Sequence, residues 1–327
     1  MQDPTLTGMP GEAIIQGWCE RARAKREQPA LAGRALVEAI SRQETWPDSL
    51  VIWHINQEGF AVKAGGTIMY FDLYLSNEVE RLTRGRLDEH VRTFLPPVRP
   101  SEITNADYVF CSHDHLDHLD PPTIKGIAVA SPQARFVIPL AARRTLIGLG
   151  VAEERLITFR GDDEQSFDGP DADGGDEGRW VHRYNPCIRV RALPGAHTDF
   201  DFDPQTGYFF LGWVVTAGGV TLYHAGDTKM YNGLIERLQP CGVDVAFLPI
   251  NGDDWFRHGR NIMGNLSYTE AADLAVAMGA DLLIPMHFGQ HDINTERPGN
   301  LMDYLQQRYR YQKCHIMVPG ERFVYVK

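Results

Sequence analysis

Nothing in the 327-residue sequence is apolar for the length of a membrane span, so no spanning helix is expected. The first residues, MQDPTLTGMPGEA, lack a basic start followed by an apolar stretch, and no signal peptide is read there. Lysine and arginine form no long run, and the formal net charge is −11, which argues against a general nucleic-acid binder. The five cysteines (Cys19, Cys111, Cys187, Cys241 and Cys314) are scattered, odd in number and never spaced C-x-x-C. That pattern suits a reducing compartment, and the expected location is the cytoplasm. No repeat of fixed period is found. What remains is a chain that is 43% apolar, enough for a large core.

Residues 11–45 carry apolar positions at helical spacing, broken near Pro29. They are read as an N-terminal helical extension over 1–48, followed by a catalytic domain over 49–327. From residue 49 the texture turns strand-like. Residues 49–75 are read as two apolar strands around a turn, with Ala-Gly-Gly as the hairpin signal. Further buried strands are expected at 106–113, 134–140, 188–197, 243–251 and 281–288, with a hairpin at 207–228. Residues 141–150 read as a short helix, as do those from Asn300, and the chain closes with a strand pair. Residues 267–280 read as a helix with Ser267 as N-cap and Glu270 completing a capping box. Residues 161–179 are acidic and glycine-rich, and are expected to be a solvated loop without a catalytic role.

The segment CSHDHLDHLD, residues 111–120, concentrates metal-binding and proton-handling groups in one turn. Its setting recurs: a buried strand ends, the chain turns, and a ligand-type residue follows at His113, His197, Asp227 and His287. Strand ends are rigid and can bring distant ligands to one rim. Two donor sets can be assembled. His113, His115 and His197 offer three imidazoles, while Asp117, His118 and His287 offer a carboxylate and two imidazoles. Asp227 can stand between them. Three protein ligands per ion leave a position open for water, as catalytic sites require. The donors are all nitrogen or oxygen, which suits zinc, manganese or iron.

SHDHLDH fits the H-x-H-x-D-H motif and resembles the metallo-β-lactamase superfamily. His197, the aspartate of GDT (Asp227) and His287 follow in that family's order, and Asp72 in MYFDLYLS matches its strand-end aspartate. The resemblance implies an α/β fold, a four-layer αββα sandwich with the metals at one edge of two sheets. CSHDHLDHLD, LYHAGDTKMYN, NIMGNLSYTEAADLA and LIPMHFGQHDIN look like the branch of L-ascorbate-6-phosphate lactonases, over residues 50 to 320. The same branch touches phospholipase-D-type hydrolases of N-acylethanolamine phospholipids. The lactonases are associated with manganese and the phospholipase with zinc. Not all of the lactonases keep a histidine at the place of His197, which favours a two-metal site here.

The expected activity is therefore metal-dependent hydrolysis of a sugar-phosphate lactone or similar small ester, with two divalent ions, zinc or manganese, per chain. A phosphodiesterase of the phospholipase type is the alternative. Asp117 is read as a ligand or, if the second ion is absent, a general base; the leaving group's proton is expected from water on the second ion or from a histidine such as His258 or His291. Arg257, Arg260 and Asn261 are candidates for holding a phosphorylated small-molecule substrate, because arginine grips phosphate with paired donors. Tyr231, with His54 and Gln57, is a weaker candidate for the rim. Asp72 and His224 are read as supports of the ligands. A homo-oligomer is compatible with the resemblance.

Overall fold

The computed structural model describes residues 11–167 and 187–327. Two seven-stranded mixed sheets face each other with helices outside them, giving an α/β sandwich. The first sheet runs Arg322–Val326, Ser49–His54, Phe60–Ala64, Thr67–Phe71, Tyr108–Phe110, Arg135–Pro139, Leu156–Phe159. The second runs Lys313–Cys314, Leu282–Met286, Val245–Pro249, Val220–His224, Leu211–Ala217, Ile188–Pro194, Glu164–Phe167.

The central strands are near-continuous apolar runs because both faces are covered. In Ser49–His54, Leu50 and Ile52 point to the inter-sheet core, with Phe60, Val62, Trp213 and Leu222. Val51 and Trp53 point the other way, against Leu36, Val37 and Ile40 of the helix Gly33–Arg42 and Ile124 and Ile127 of Pro121–Ala130. The outer face of the second sheet is covered by Ala271, Leu274 and Ala275 of the helix Tyr268–Met278 and by Leu301 and Leu305 of Pro298–Arg308.

The helix at 267–280 is capped as expected. Ser267 accepts from the Glu270 amide and Glu270 from the Ser267 amide, and Gly279 (φ 78°) ends the helix. The hairpin Leu211–Ala217/Val220–His224 turns through Gly218 and Gly219, both at positive φ. The N-terminal region forms the helices Gly11–Ala24 and Gly33–Arg42, on either side of Pro29.

Three features differ from the sequence reading. Residues 49–75 hold three strands, because a second turn at 55–59, carried by the polar run Asn56-Gln57-Glu58 and Gly59, separates the first two. That turn is wholly buried despite its polar composition. The helix Pro121–Ala130 is the second feature: Asp120 followed by two prolines is a recognisable start signal. Third, Glu164–Phe167 pairs as an edge strand although it is polar, since an edge strand keeps one side in water. Residues 168–179 of the acidic segment lie outside the described residues.

His54 and His224 are both buried, and burial pushes each imidazole down to about 4. The unfolded chain protonates near the ordinary value of about 6.5, so it binds more protons than the folded chain between that value and about 4. Stability is therefore full above about pH 6.5, falls as pH drops, and levels off below about 4, by on the order of 3 kcal/mol per histidine. Denaturant unfolding at about pH 7.5, 5.5 and 4.5 measures this. His54→Gln is expected to flatten the fall.

Candidate metal centre

The site forms where strands of both sheets end. Asp72 follows Thr67–Phe71, His113 follows Tyr108–Phe110, His197 follows Ile188–Pro194, Asp227 follows Val220–His224, and His287 follows Leu282–Met286. Asp72 and His287 take positive φ, 40° and 58°, which costs on the order of 1–3 kcal/mol at a non-glycine residue. Surrounding contacts hold both. Asp72 N–H donates to the Phe110 carbonyl at 2.9 Å, and His287 N–H to the Gln57 carbonyl at 2.7 Å.

Two compact donor groups result. His113, His115 and Asp227 each offer one ligand atom within 4.8 Å of the others, and Glu58, His118, Asp227 and His287 do the same. Asp227 belongs to both. Its Oδ1 stands 3.5 Å from Nε2 of His118 and of His287, and its Oδ2 stands 3.5 Å from His197 Nε2. His197 stands beside the first group, its ring 5.4 Å from that of His115. Asp117 stands beside the second, with Oδ2 3.9 Å from His118 Nε2 and accepting from Gln57 Nε2 at 3.1 Å.

The imidazoles are oriented from behind. His118 Nδ1 meets Asp72 Oδ2 at 2.8 Å, and Asp72 Oδ1 accepts from the Ser112 amide at 2.7 Å. His197 Nδ1 meets Asn265 Oδ1 at 2.8 Å. His224 Nε2 meets the Glu58 carbonyl at 2.8 Å. Such bonds fix which ring nitrogen faces an ion. Asn265→Ala is expected to weaken the ion nearest His197 by about 10–100-fold while leaving the other unchanged. Titration of the metal-free protein with cobalt checks this.

Electrostatics fit cations. Burial drives His113 well below its ordinary value and His287 to about 3, so both are neutral and ready to ligate. Burial opposes ionisation of Asp227, but His118 and His197 outweigh it and hold the carboxyl well below the usual range. Burial also works against charge on His118, yet Asp227, Asp117 and Asp72 raise it well above its ordinary value. Among the described residues, the ion pairs of Glu58, Asp72 and Asp227 are all with histidines. Nε2 of His113 and His118, Oδ1 of Asp227 and both oxygens of Glu58 are buried without hydrogen-bond partners. Buried donor atoms left this way are costly unless an ion takes them up. The residues present fit divalent metal ions.

The chain from Arg257 to Asn261 is arranged otherwise than a phosphate grip requires. Arg257 is buried and donates to the carbonyls of Asn251, Gly252 and Thr295, so its guanidinium braces its own loop. Arg260 donates to the Phe256 carbonyl and lies 3.6 Å over the Phe256 ring. Asn261 is exposed at φ 56°. His258 is half exposed and pairs with Asp253 at 2.5 Å. The Tyr231 hydroxyl donates to the Pro194 carbonyl at 2.6 Å. Glu58 and Asn265 are not among the sequence candidates. Asn265 lies inside a quoted motif, whereas Glu58 sits in a turn whose signal is the polar run closed by Gly59.

Residues 84–288 match the Beta-lactamase superfamily domain. The chain belongs to that superfamily. It is similar to a UPF0173 metal-dependent hydrolase of Aeropyrum pernix, 23% identical over 83% of this chain and 95% of the relative. It is also similar to a probable L-ascorbate-6-phosphate lactonase UlaG of Escherichia coli, 24% identical over 80% of this chain and 75% of the relative. An N-acyl-phosphatidylethanolamine-hydrolyzing phospholipase D 1 of Caenorhabditis elegans is 24% identical over 61% of this chain, which spans about half (53%) of that relative. Among solved structures, the isothiocyanate hydrolase from Delia radicum gut bacteria superposes with a TM-score of 0.61 at 15% identity, over 85% of this chain and all of that one. These matches carry the fold and the class: a metal-dependent hydrolase of the superfamily. No helix among the described residues is long and apolar enough to cross a membrane.

Proposed function

We propose that the protein is a two-metal hydrolase of a small ester, most closely a lactone of a phosphorylated sugar. The observation that carries this reading is the pair of donor groups sharing Asp227. Divalent ions, zinc or manganese, when bound there supply an activated water and polarise the carbonyl oxygen. His113, His115 and His197 would hold one ion, His118 and His287 the other, with Asp227 common to both. Asp117 is one-quarter exposed and steadied by Gln57, and is placed in this reading to ligate the second ion or take the proton of the attacking water. His258, paired with Asp253, is the proposed proton donor to the leaving alkoxide. In this reading a phosphate is met by donors other than the guanidinium of Arg257, which its own loop engages, and that of Arg260, which the Phe256 carbonyl and ring engage. The similarity to the phospholipase supports a phosphodiester as the second reading.

The test is a panel of lactones, sugar-phosphate lactones and phosphodiesters, each assayed with zinc and with manganese. Turnover of lactones with phosphodiesters inert is the expected result. The reverse pattern transfers the assignment to a phosphodiesterase, and hydrolysis of neither with either metal overturns both readings.

A further inference from the structure

The turn between Ser49–His54 and Phe60–Ala64 is held from every side. Ile55 N–H donates to the Gly59 carbonyl at 2.8 Å and Gly59 N–H to the Asn56 carbonyl at 3.0 Å. Asn56 Nδ2 donates to the Asp72 carbonyl, and Asn56 Oδ1 accepts from the Tyr74 amide, both at 3.1 Å. Gln57 N–H donates to Gln290 Oε1 at 3.3 Å, while the Gln57 and Glu58 carbonyls accept from His287 N–H and His224 Nε2. A Cβ at residue 59 would sit 1.9 Å from Asn56 Oδ1, so only glycine closes the turn.

What this rigid turn delivers is a glutamate with no solvent exposure. Glu58 Oε2 lies 2.9 Å from His118 Nδ1 and Oε1 lies 3.0 Å from His287 Nε2. Neither contact has hydrogen-bond geometry, and His118 Nδ1 is already directed to Asp72. A carboxylate buried without a hydrogen-bond donor is destabilising, whereas a divalent cation satisfies it.

We infer that Glu58 is itself a ligand of the second metal ion, beside His118, His287 and Asp227. This rests on the two-metal reading above. Even without Asp117, the second position then has two carboxylates and two imidazoles, against three imidazoles and one carboxylate at the first. The harder oxygen-rich set favours manganese or iron(II) in a higher coordination number, while the histidine-rich set suits zinc. The two positions are therefore chemically unequal, and Glu58 is what makes them so.

The test compares wild type with Glu58→Gln, which keeps the shape, and Glu58→Ala. Each is stripped of metal and titrated with manganese, with free ion read by electron paramagnetic resonance, and separately with cobalt, read by visible absorption. Wild type is expected to bind two ions. Both variants are expected to keep one at wild-type affinity and to bind the second roughly 100-fold more weakly or worse, with the higher-coordinate cobalt band lost. Metal-free Glu58→Gln is expected to melt no lower than metal-free wild type, because a buried charge has been removed. Two ions bound by both variants as in wild type, with the same cobalt spectrum, overturns the role of Glu58 and leaves the two-metal reading standing. Fewer than two ions in wild type overturns that reading and this inference with it.

Discussion

Asp227→Ala is expected to remove both metal positions at once and to lower kcat/KM by on the order of 10³-fold or more, about 4 kcal/mol of transition-state stabilisation. The reason is geometric. One carboxylate turns Oδ1 to His118 and His287 and Oδ2 to His197, each at 3.5 Å. Losing it takes an anionic donor from each group and leaves neighbouring imidazoles without the charge that draws the ions in. His115→Ala, by contrast, strips one exposed donor from one group only, and is expected to leave the second ion in place. Metal content and kcat/KM of the two variants, measured side by side, check the prediction. Two ions retained by Asp227→Ala would remove Asp227 from the bridging position.

Asp72→Ala is expected to act without touching an ion. Asp72 accepts from the Ser112 amide and hydroxyl and meets His118 Nδ1, so its loss leaves three buried groups without their acceptor. Each such orphan costs about 1–3 kcal/mol, so several kcal/mol of stability is expected to go. With His118 free to turn, metal affinity at the second position should fall by a further 10–100-fold, roughly the effect of removing an outer-shell partner. Asp72→Asn separates the two effects. It retains one acceptor and most of the fold, and is still expected to lose affinity. Denaturant unfolding of the metal-free proteins, followed by metal titration, gives both numbers. Full metal affinity in Asp72→Asn would show that His118 is held by other contacts.

What can be read from the sequence depends on where each signal lies. H-x-H-x-D-H is local, and the other ligand-type residues each close an apolar strand, so the ligand order is legible directly. The strands themselves are buried on both faces, and their unbroken apolar runs mark them without fixing their ends. The turn at 55–59 does carry a local signal, the polar run Asn56-Gln57-Glu58 closed by Gly59, but nothing local shows that it is buried or that Glu58 faces the site. That turn is satisfied by His224, His287 and Gln290, partners more than 160 residues away, which no local pattern reveals. Arg257 illustrates the opposite case. Its residue type suggests a phosphate grip, but only the folded chain shows its donors taken by the carbonyls of its own loop and of Thr295.

The most direct measurement is a crystal structure of the manganese-loaded protein with anomalous scattering data. Two peaks are expected, one among His113, His115, His197 and Asp227 Oδ2, the other among Glu58, His118, His287 and Asp227 Oδ1. A single peak, or ions bound away from Asp227, would contradict the two-metal centre.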